Sequence, residues 1–299
     1  MKKIGFIGLG AMGFPIASNL IKAGHTLYIG VHQKREQAEL LTQKGAIICK
    51  TYKEVASHVD TIFTVVPSEK EVEEVIFGKE GVWEGLRTGA TVIDMSTIDL
   101  IKSREFAERL NNKGVSFLDA PISGGPKGAS AGTMAIMIGG RREIFEQHNE
   151  IFAAIGKTII YCGGNGLGLA AKMANNLIVA SEMAAISEAV SLAVKAGIDP
   201  EELYNVLKGA TANSYILNAK MPSILANDYS PAFKLSLMCK DLNIISSVAK
   251  KLGTPLFLTG IVEQLFSVCK EEHGEKDSCA VGLFYQKLTG VSFESPKKQ

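Results

Sequence analysis

Lys3-Ile4-Gly5-Phe6-Ile7-Gly8-Leu9-Gly10-Ala11-Met12-Gly13 is the stretch on which the fold turns. Lys3 to Gly8 reads as a β-strand, Gly8, Gly10 and Gly13 form G-x-G-x-x-G, and Phe14 to Ala23 reads as a helix closed by Gly24. A bare glycine triplet is weak, but the strand before it and the helix after it are the context that dinucleotide binding requires. Gly8 permits a tight turn, Gly10 lets backbone approach a pyrophosphate, and Gly13 lets helix pack on strand. The phosphates then meet the positive end of the helix. The expected contacts run through Gly8, Leu9, Gly10, Ala11, Met12 and Gly13. Lys2 and Lys3 followed by the apolar run Ile4 to Ala17 also imitate a secretory leader. The glycine fingerprint inside the run argues against that, because cleavage would delete the first strand.

Working outward, Val-, Ile- and Thr-rich runs alternate with helical stretches as far as residue 162, the pattern of a parallel sheet covered by helices. The strands expected are Lys3–Gly8, Thr26–Val31, Thr61–Val65, Thr91–Asp94, Ser116–Leu118, Met134–Gly139 and Thr158–Tyr161. From Gly166 onward apolar residues recur at helical spacing, punctuated by Gly197, Pro200, Gly253 and Pro255. The fold expected is therefore α/β: a doubly wound Rossmann domain over 1–162, joined by a long helix to an all-α domain over 163–299. That helix, Gly166 to Lys195, would run roughly 45 Å at 1.5 Å per residue. Asn175, Asn176, Glu182 and Glu188 interrupt its apolar run, so it reads as a buried helix and not a membrane span. Ser295 to Gln299 reads as a frayed end.

The 299 residues are 46% hydrophobic and 21% charged with a formal net charge of +1, a globular composition with enough length for two cores. Lysines and arginines form no basic stripe, which argues against nucleic acid as a partner. Five scattered cysteines without a C-x-x-C pair suit a reducing cytoplasm. The five histidines show no metal-ligand spacing, and no metal is expected.

An NAD-specific site places an acid about 20 residues past the fingerprint to hold the ribose hydroxyls. The sequence instead reads Val31-His32-Gln33-Lys34-Arg35, with Glu36 the first acid. Lys34 or Arg35 would match a 2′-phosphate, so among the NAD(P) cofactors NADP(H) is favoured over NAD(H), with His32 and Gln33 in the same contact segment. Solvated residues at a helix start would read the same way.

Lys172, Asn175 and Asn176 stand at i, i+3 and i+4, so the ammonium and an amide share a helix face among apolar neighbours. A lysine so placed can give a proton to a carbonyl oxygen that is being reduced, or take one from a hydroxyl that is being oxidised. An unperturbed lysine titrates near about 10.4, so a role as base requires desolvation or a neighbouring cation such as Lys240. In Ser123-Gly124-Gly125 bare backbone N–H groups stand beside a hydroxyl, which suits a carboxylate. An ordinary turn after a strand would look the same. Asp241 fits structural pairing as well as chemistry.

Five blocks in order carry a resemblance over nearly the whole chain. They are the glycine fingerprint, Asp119-Ala120-Pro121-Ile122-Ser123-Gly124-Gly125, Gly166-Leu167-Gly168 through Lys172 to Asn175-Asn176, Phe233 to Lys240-Asp241-Leu242, and Asp277-Ser278-Cys279-Ala280. The sequence resembles the β-hydroxyacid dehydrogenase family, which includes 3-hydroxyisobutyrate dehydrogenases and the tartronate semialdehyde, glyoxylate and succinic semialdehyde reductases. The resemblance implies an NAD(P)-dependent oxidoreductase acting on a small carboxylate-bearing substrate, with Lys172 as proton donor and acceptor. It implies that Ser123, Gly124 and Gly125 bind the carboxylate, that Asn176 orients the substrate, and that Lys240 lies near nicotinamide and substrate. It also implies cofactor contacts from Val66, Pro67 and Thr97, with Glu71 beside them, and a homodimer or homotetramer. In 6-phosphogluconate dehydrogenases a histidine precedes the asparagine, where this chain has Ala174. Imine reductases typically lack the lysine, and a non-catalytic dinucleotide-binding module would be expected to lose it. Met134, Tyr215 and Phe233 are candidates for the substrate rim, although core packing is the commoner fate of such side chains.

Overall fold

A computed structural model describes residues 1–30 and 35–295. The chain forms two compact units, Met1–Lys172 and Met173–Gln299.

Among the described residues of the first unit nine strands make one sheet. They are β1 (Lys3–Ile7), β2 (Thr26–Gly30), β3 (Ile47–Cys49), β4 (Thr61–Thr64), β5 (Thr91–Asp94), β6 (Ser116–Asp119), β7 (Ile122–Ser123), β8 (Met134–Gly139) and β9 (Gly156–Gly163). The sheet order is β3-β2-β1-β4-β5-β6-β8-β7, with β9 on β8. β1 to β6 pair in parallel, and their order is the doubly wound arrangement whose switch point lies between β1 and β4. β8 runs antiparallel to β6 and β7 and parallel to β9. The intervening helices are α1 (Gly13–Lys22), α2 (Arg35–Thr42), α3 (Tyr52–His58), α4 (Glu69–Phe77), α5 (Val82–Gly85), α6 (Leu100–Asn112), α7 (Gly125–Ala131) and α8 (Arg142–Ala153).

Every residue of β4, β5 and β6 is buried, as central parallel strands covered on both faces must be. Ile16, Ala17 and Leu20 of α1 pack with Phe6, Leu27 and Phe63 in one core, where Phe6 stacks on Phe63 and Phe152 meets Phe63 edge-on. The seven expected strands all form, each within two residues of its expected ends where those ends are described. β3 and β7 were not expected: they have three and two residues, and edge strand β3 leaves Ile47 and Ile48 nearly half exposed. The Lys3–Ile7 run sits inside the sheet between β2 and β4.

The second unit is helical, as its texture implies. α9 (Leu167–Lys195) begins in the first unit and continues into the second, followed by α10 (Pro200–Gly209), α11 (Tyr215–Leu225), α12 (Leu235–Leu252), α13 (Phe257–His273), a 3₁₀ turn (Ser278–Ala280) and α14 (Val281–Thr289). By length and composition alone α9 could cross a bilayer. Its Ala180, Met183, Ala184 and Val190, however, form a stripe at helical spacing that is buried in the second unit's core with Leu217, Met221, Leu242, Val262, Phe266 and Phe293. Asp199 caps α10 by accepting from Glu201 N–H, with Pro200 at the first helical position.

Candidate active site

The three fingerprint glycines have different structural reasons. Gly8 has φ +100°, and a Cβ there would lie 2.1 Å from the Val65 carbonyl oxygen; a Cβ on Gly13 would lie 1.8 Å from the Gly8 carbonyl oxygen. Both are demanded by the turn and by helix-on-strand packing. At Gly10 an added Cβ meets no described residue within 4 Å, and φ is not positive. Among the described residues neither packing nor conformation calls for that glycine. A bare, exposed stretch of backbone before the first turn of α1 fits the close approach of a pyrophosphate, so the residues present fit a dinucleotide. Leu9 is buried in the core, whereas Ala11 is exposed and Met12 half-buried.

The loops after β4 and β5 are joined by one hydrogen-bonded chain. Thr64 Oγ1 donates to Asp94 Oδ1 at 2.7 Å, Ser96 N–H donates to the same oxygen at 3.2 Å, and Val66 N–H donates to Ser96 Oγ at 3.0 Å. The loops carrying Val66, Pro67 and Thr97 are thereby fixed at the carboxyl ends of neighbouring parallel strands. Glu71 lies in the first turn of α4, where the Ser68 hydroxyl donates to its carboxylate and holds its pKa below the usual value. Arg35 opens α2 and is exposed; His32, Gln33 and Lys34 lie outside the described residues.

Ser123 ends β7, and Gly124 and Gly125 follow with φ +133° and +62°, so this turn into α7 needs glycine at two consecutive positions. The first N–H groups of α7 have no intrahelical acceptor, as at any helix start.

Asp119 connects this segment to the lysine helix. From the end of β6 its carboxylate accepts from Gly166 N–H at 2.7 Å and from Leu169 N–H at 3.0 Å, holding the start of α9. Gly168 permits the approach, since a Cβ there would lie 2.4 Å from the Met137 carbonyl oxygen. Burial pushes the Asp119 carboxyl up to about 6, against the opposing pull of those two N–H groups. Lys172 follows Leu169 by three residues on α9 and is 7% exposed.

In the second unit Asn176, Asp241 and Lys240 come together. Asn176 Nδ2 donates to Asp241 Oδ2 at 2.6 Å, Asn175 Nδ2 donates to Asn176 Oδ1 at 2.9 Å, and Lys240 Nζ lies 3.1 Å from Asp241 Oδ1. Asp241 is nearly inaccessible, so its charge is compensated by one cation and one amide. Asn176 has two N–H donors and commits one to Asp241, which leaves the other for a bound oxygen.

Asp277 joins the last two sequence blocks. It receives Lys220 Nζ at 2.8 and 3.0 Å and the N–H groups of Ala232, Phe233 and Cys279. Burial raises its pKa, but Lys220 and the N–H groups outweigh burial and hold it below the usual value. The segment entering α12, which carries Lys240, is thus anchored. Met134, a candidate for the rim, is fully buried in the first unit's core; Phe233 is half-buried and Tyr215 exposed. The roles of Asp119, Asp94 and Asp277 were not read from the sequence. Asp119 and Asp277 lie in the quoted blocks, but their partners are distant in sequence.

Residues 3–164 match the family model described as the NAD binding domain of 6-phosphogluconate dehydrogenase, and residues 166–283 match the one described as NAD-binding of NADP-dependent 3-hydroxyisobutyrate dehydrogenase. The chain is 40% identical over 274 residues to 2-hydroxy-3-oxopropionate reductase of Escherichia coli, with 92% of this chain and 93% of that protein covered. It is 37% identical over 292 residues to 2-(hydroxymethyl)glutarate dehydrogenase of Eubacterium barkeri, with 97% of each covered. Among solved structures, 3-hydroxyisobutyrate dehydrogenase of Mycobacterium tuberculosis with L-serine superposes with a TM-score of 0.88 at 30% identity, covering 95% of this chain and 99% of that one.

Proposed function

The chain belongs to the β-hydroxyacid dehydrogenase family, and from that premise we propose that it interconverts a small β- or γ-hydroxy acid and its semialdehyde or keto form, with Lys172 as general acid and base. The observation that carries this reading is a buried lysine one helical turn before Asn176, whose amide is held by buried Asp241. When bound, NAD(P) supplies the hydride donor or acceptor. In reduction the Lys172 ammonium gives a proton to the substrate oxygen; in oxidation the neutral amine takes it. The free N–H of Asn176 donates to the substrate and orients it, and Asp241 positions that amide. The backbone and hydroxyl of Ser123-Gly124-Gly125 receive the carboxylate, and Lys240 lies beside nicotinamide and substrate. The cofactor is held by Gly8 to Gly13, by Val66, Pro67, Glu71 and Thr97, and by the segment His32, Gln33, Lys34 and Arg35.

The last segment supports a preference for NADP(H), because it offers two cations and no acid where NAD sites place one. The exposed Leu192, Phe257, Leu258 and Ile261 of the second unit support a homodimer or homotetramer, to be checked by light scattering, with a clean monomer as the contrary result. Five cysteines without a disulfide support a cytoplasmic location.

The test is initial rates with NADPH and NADH against glyoxylate, succinic semialdehyde, tartronate semialdehyde, methylmalonate semialdehyde and a cyclic imine, with the hydroxy acids in reverse. Turnover of a carbonyl acid, faster with NADPH, is expected. Turnover of the imine alone, or of nothing, would overturn the assignment, and a clear NADH preference would overturn the cofactor reading.

A further inference from the structure

We propose that Cys49, Glu54 and His58 form a site for a zinc-like divalent cation in the first unit. Cys49 closes β3, and Glu54 and His58 stand at i and i+4 on α3, where helix geometry puts them on one face. The Cys49 thiol, a carboxylate oxygen of Glu54 and a ring nitrogen of His58 lie within 4.8 Å of one another. Zinc at about 2.0–2.3 Å from each ligand needs ligand atoms roughly 3.3–3.7 Å apart, so small side-chain rotations complete the set. A sulfur, an imidazole and a carboxylate select a borderline-soft ion over magnesium or calcium, which take oxygen ligands.

The structural duties of these residues leave donor atoms over. Thr51 caps α3 by accepting from Glu54 N–H at 3.1 Å, and Glu54 Oε2 accepts from Lys50 N–H at 2.6 Å, which uses one carboxylate oxygen. Tyr28 stacks on the His58 ring with centroids 4.8 Å apart, which sets the plane of the imidazole through its face and not through its nitrogens. His58 is exposed and Cys49 buried, so the site opens to solvent on one side and leaves a fourth position for water. A search for histidine pairs misses the site because its ligands are of three kinds. Cys49 pairs with Gly30 of β2, so a bound ion would tie edge strand β3 to α3 beside the end of β2.

The test is titration of reduced, metal-free, untagged full-length protein with Co(II), followed by displacement with Zn(II). One equivalent is expected, with a thiolate-to-cobalt charge-transfer band and d–d absorption of tetrahedral intensity. Cys49→Ala should remove the charge-transfer band, and Cys162→Ala should leave it. His58→Ala, a change at an exposed position, and Glu54→Gln, which keeps an oxygen for the cap, should each weaken binding by at least about tenfold. No thiolate band at saturation, a band that survives Cys49→Ala, or unchanged affinity in His58→Ala would overturn the site.

Discussion

Asn176 Nδ2 donates to Asp241 Oδ2 at 2.6 Å, across 65 positions of sequence. With its Oδ1 occupied by Asn175, the amide has a single orientation and a single N–H left to offer. Asp241→Asn removes the charge that holds both Asn176 and Lys240, and is expected to lower kcat/KM by roughly 10- to 100-fold while the fold persists. The check is a double-mutant cycle with Asn176→Ala on kcat/KM. A coupling of about 1 kcal/mol or more is expected, and strict additivity would remove Asp241 from the positioning role.

Lys172→Ala is expected to reduce kcat by roughly 10²- to 10⁴-fold, the range for losing a positioned acid–base group. Cofactor affinity, read by quenching of Trp83 fluorescence or by calorimetry, should stay close to that of the unmodified chain. Turnover that survives the substitution would overturn the proposed mechanism.

The fingerprint glycines separate fold from ligand. Gly13→Ala places a methyl 1.8 Å from the Gly8 carbonyl oxygen and should destabilise the first unit by several kcal/mol, on the order of the overpacking penalty or above it. Gly10→Ala meets none of the described residues and should leave the melting temperature unchanged, yet weaken NADPH binding about tenfold or more. Paired melting and cofactor-binding measurements distinguish them; a Gly10→Ala protein with ordinary cofactor affinity would empty that loop of its proposed role.

Stability should depend on pH through two groups of opposite sign. Asp119, with its pKa raised from 3.8 to about 6 by burial, keeps its proton in the folded state where the unfolded chain has lost it. Its contribution is complete below pH 3.8 and is lost as pH rises through about 6, by roughly 3 kcal/mol at 1.36 kcal/mol per unit. His148 is lowered from 6.5, chiefly by burial, with Ile144 O accepting from Nδ1 and Thr61 Oγ1 3.0 Å from Nε2. Its neutral form is the folded one, so its contribution is present above pH 6.5 and is lost as pH falls through its lowered value. Denaturant unfolding from pH 4 to 7 should therefore show a steeper acid loss in Asp119→Asn and a shallower one in His148→Gln. Curves parallel to the unmodified chain's would contradict both.

The architecture was legible wherever it rests on local pattern. The strand–glycine–helix order, the alternation up to residue 162 and the helical texture after Gly166 all have short-range causes. β3 and β7 were not legible, because a three-residue edge strand and a two-residue strand after Pro121 carry too little alternation to register. Met134 was equally open to rim or core, and only its place on β8, fully buried, decides. The site was legible as blocks but not as connections. Asp119 meets Gly166, Asn176 meets Asp241 and Phe233 meets Asp277 across 47, 65 and 44 positions, which no window on the sequence spans.

The anchoring of α9 by Asp119 makes the helix a carrier of angular phase. One residue inserted between Leu169 and Lys172 would turn Lys172, Asn175 and Asn176 by about 100° from that anchor and advance them about 1.5 Å. Four inserted residues would bring the direction back to within roughly 40° but displace the lysine by about 6 Å. The spacing from Gly166 to Asn176 therefore tolerates substitution on its outward faces far better than any change of length.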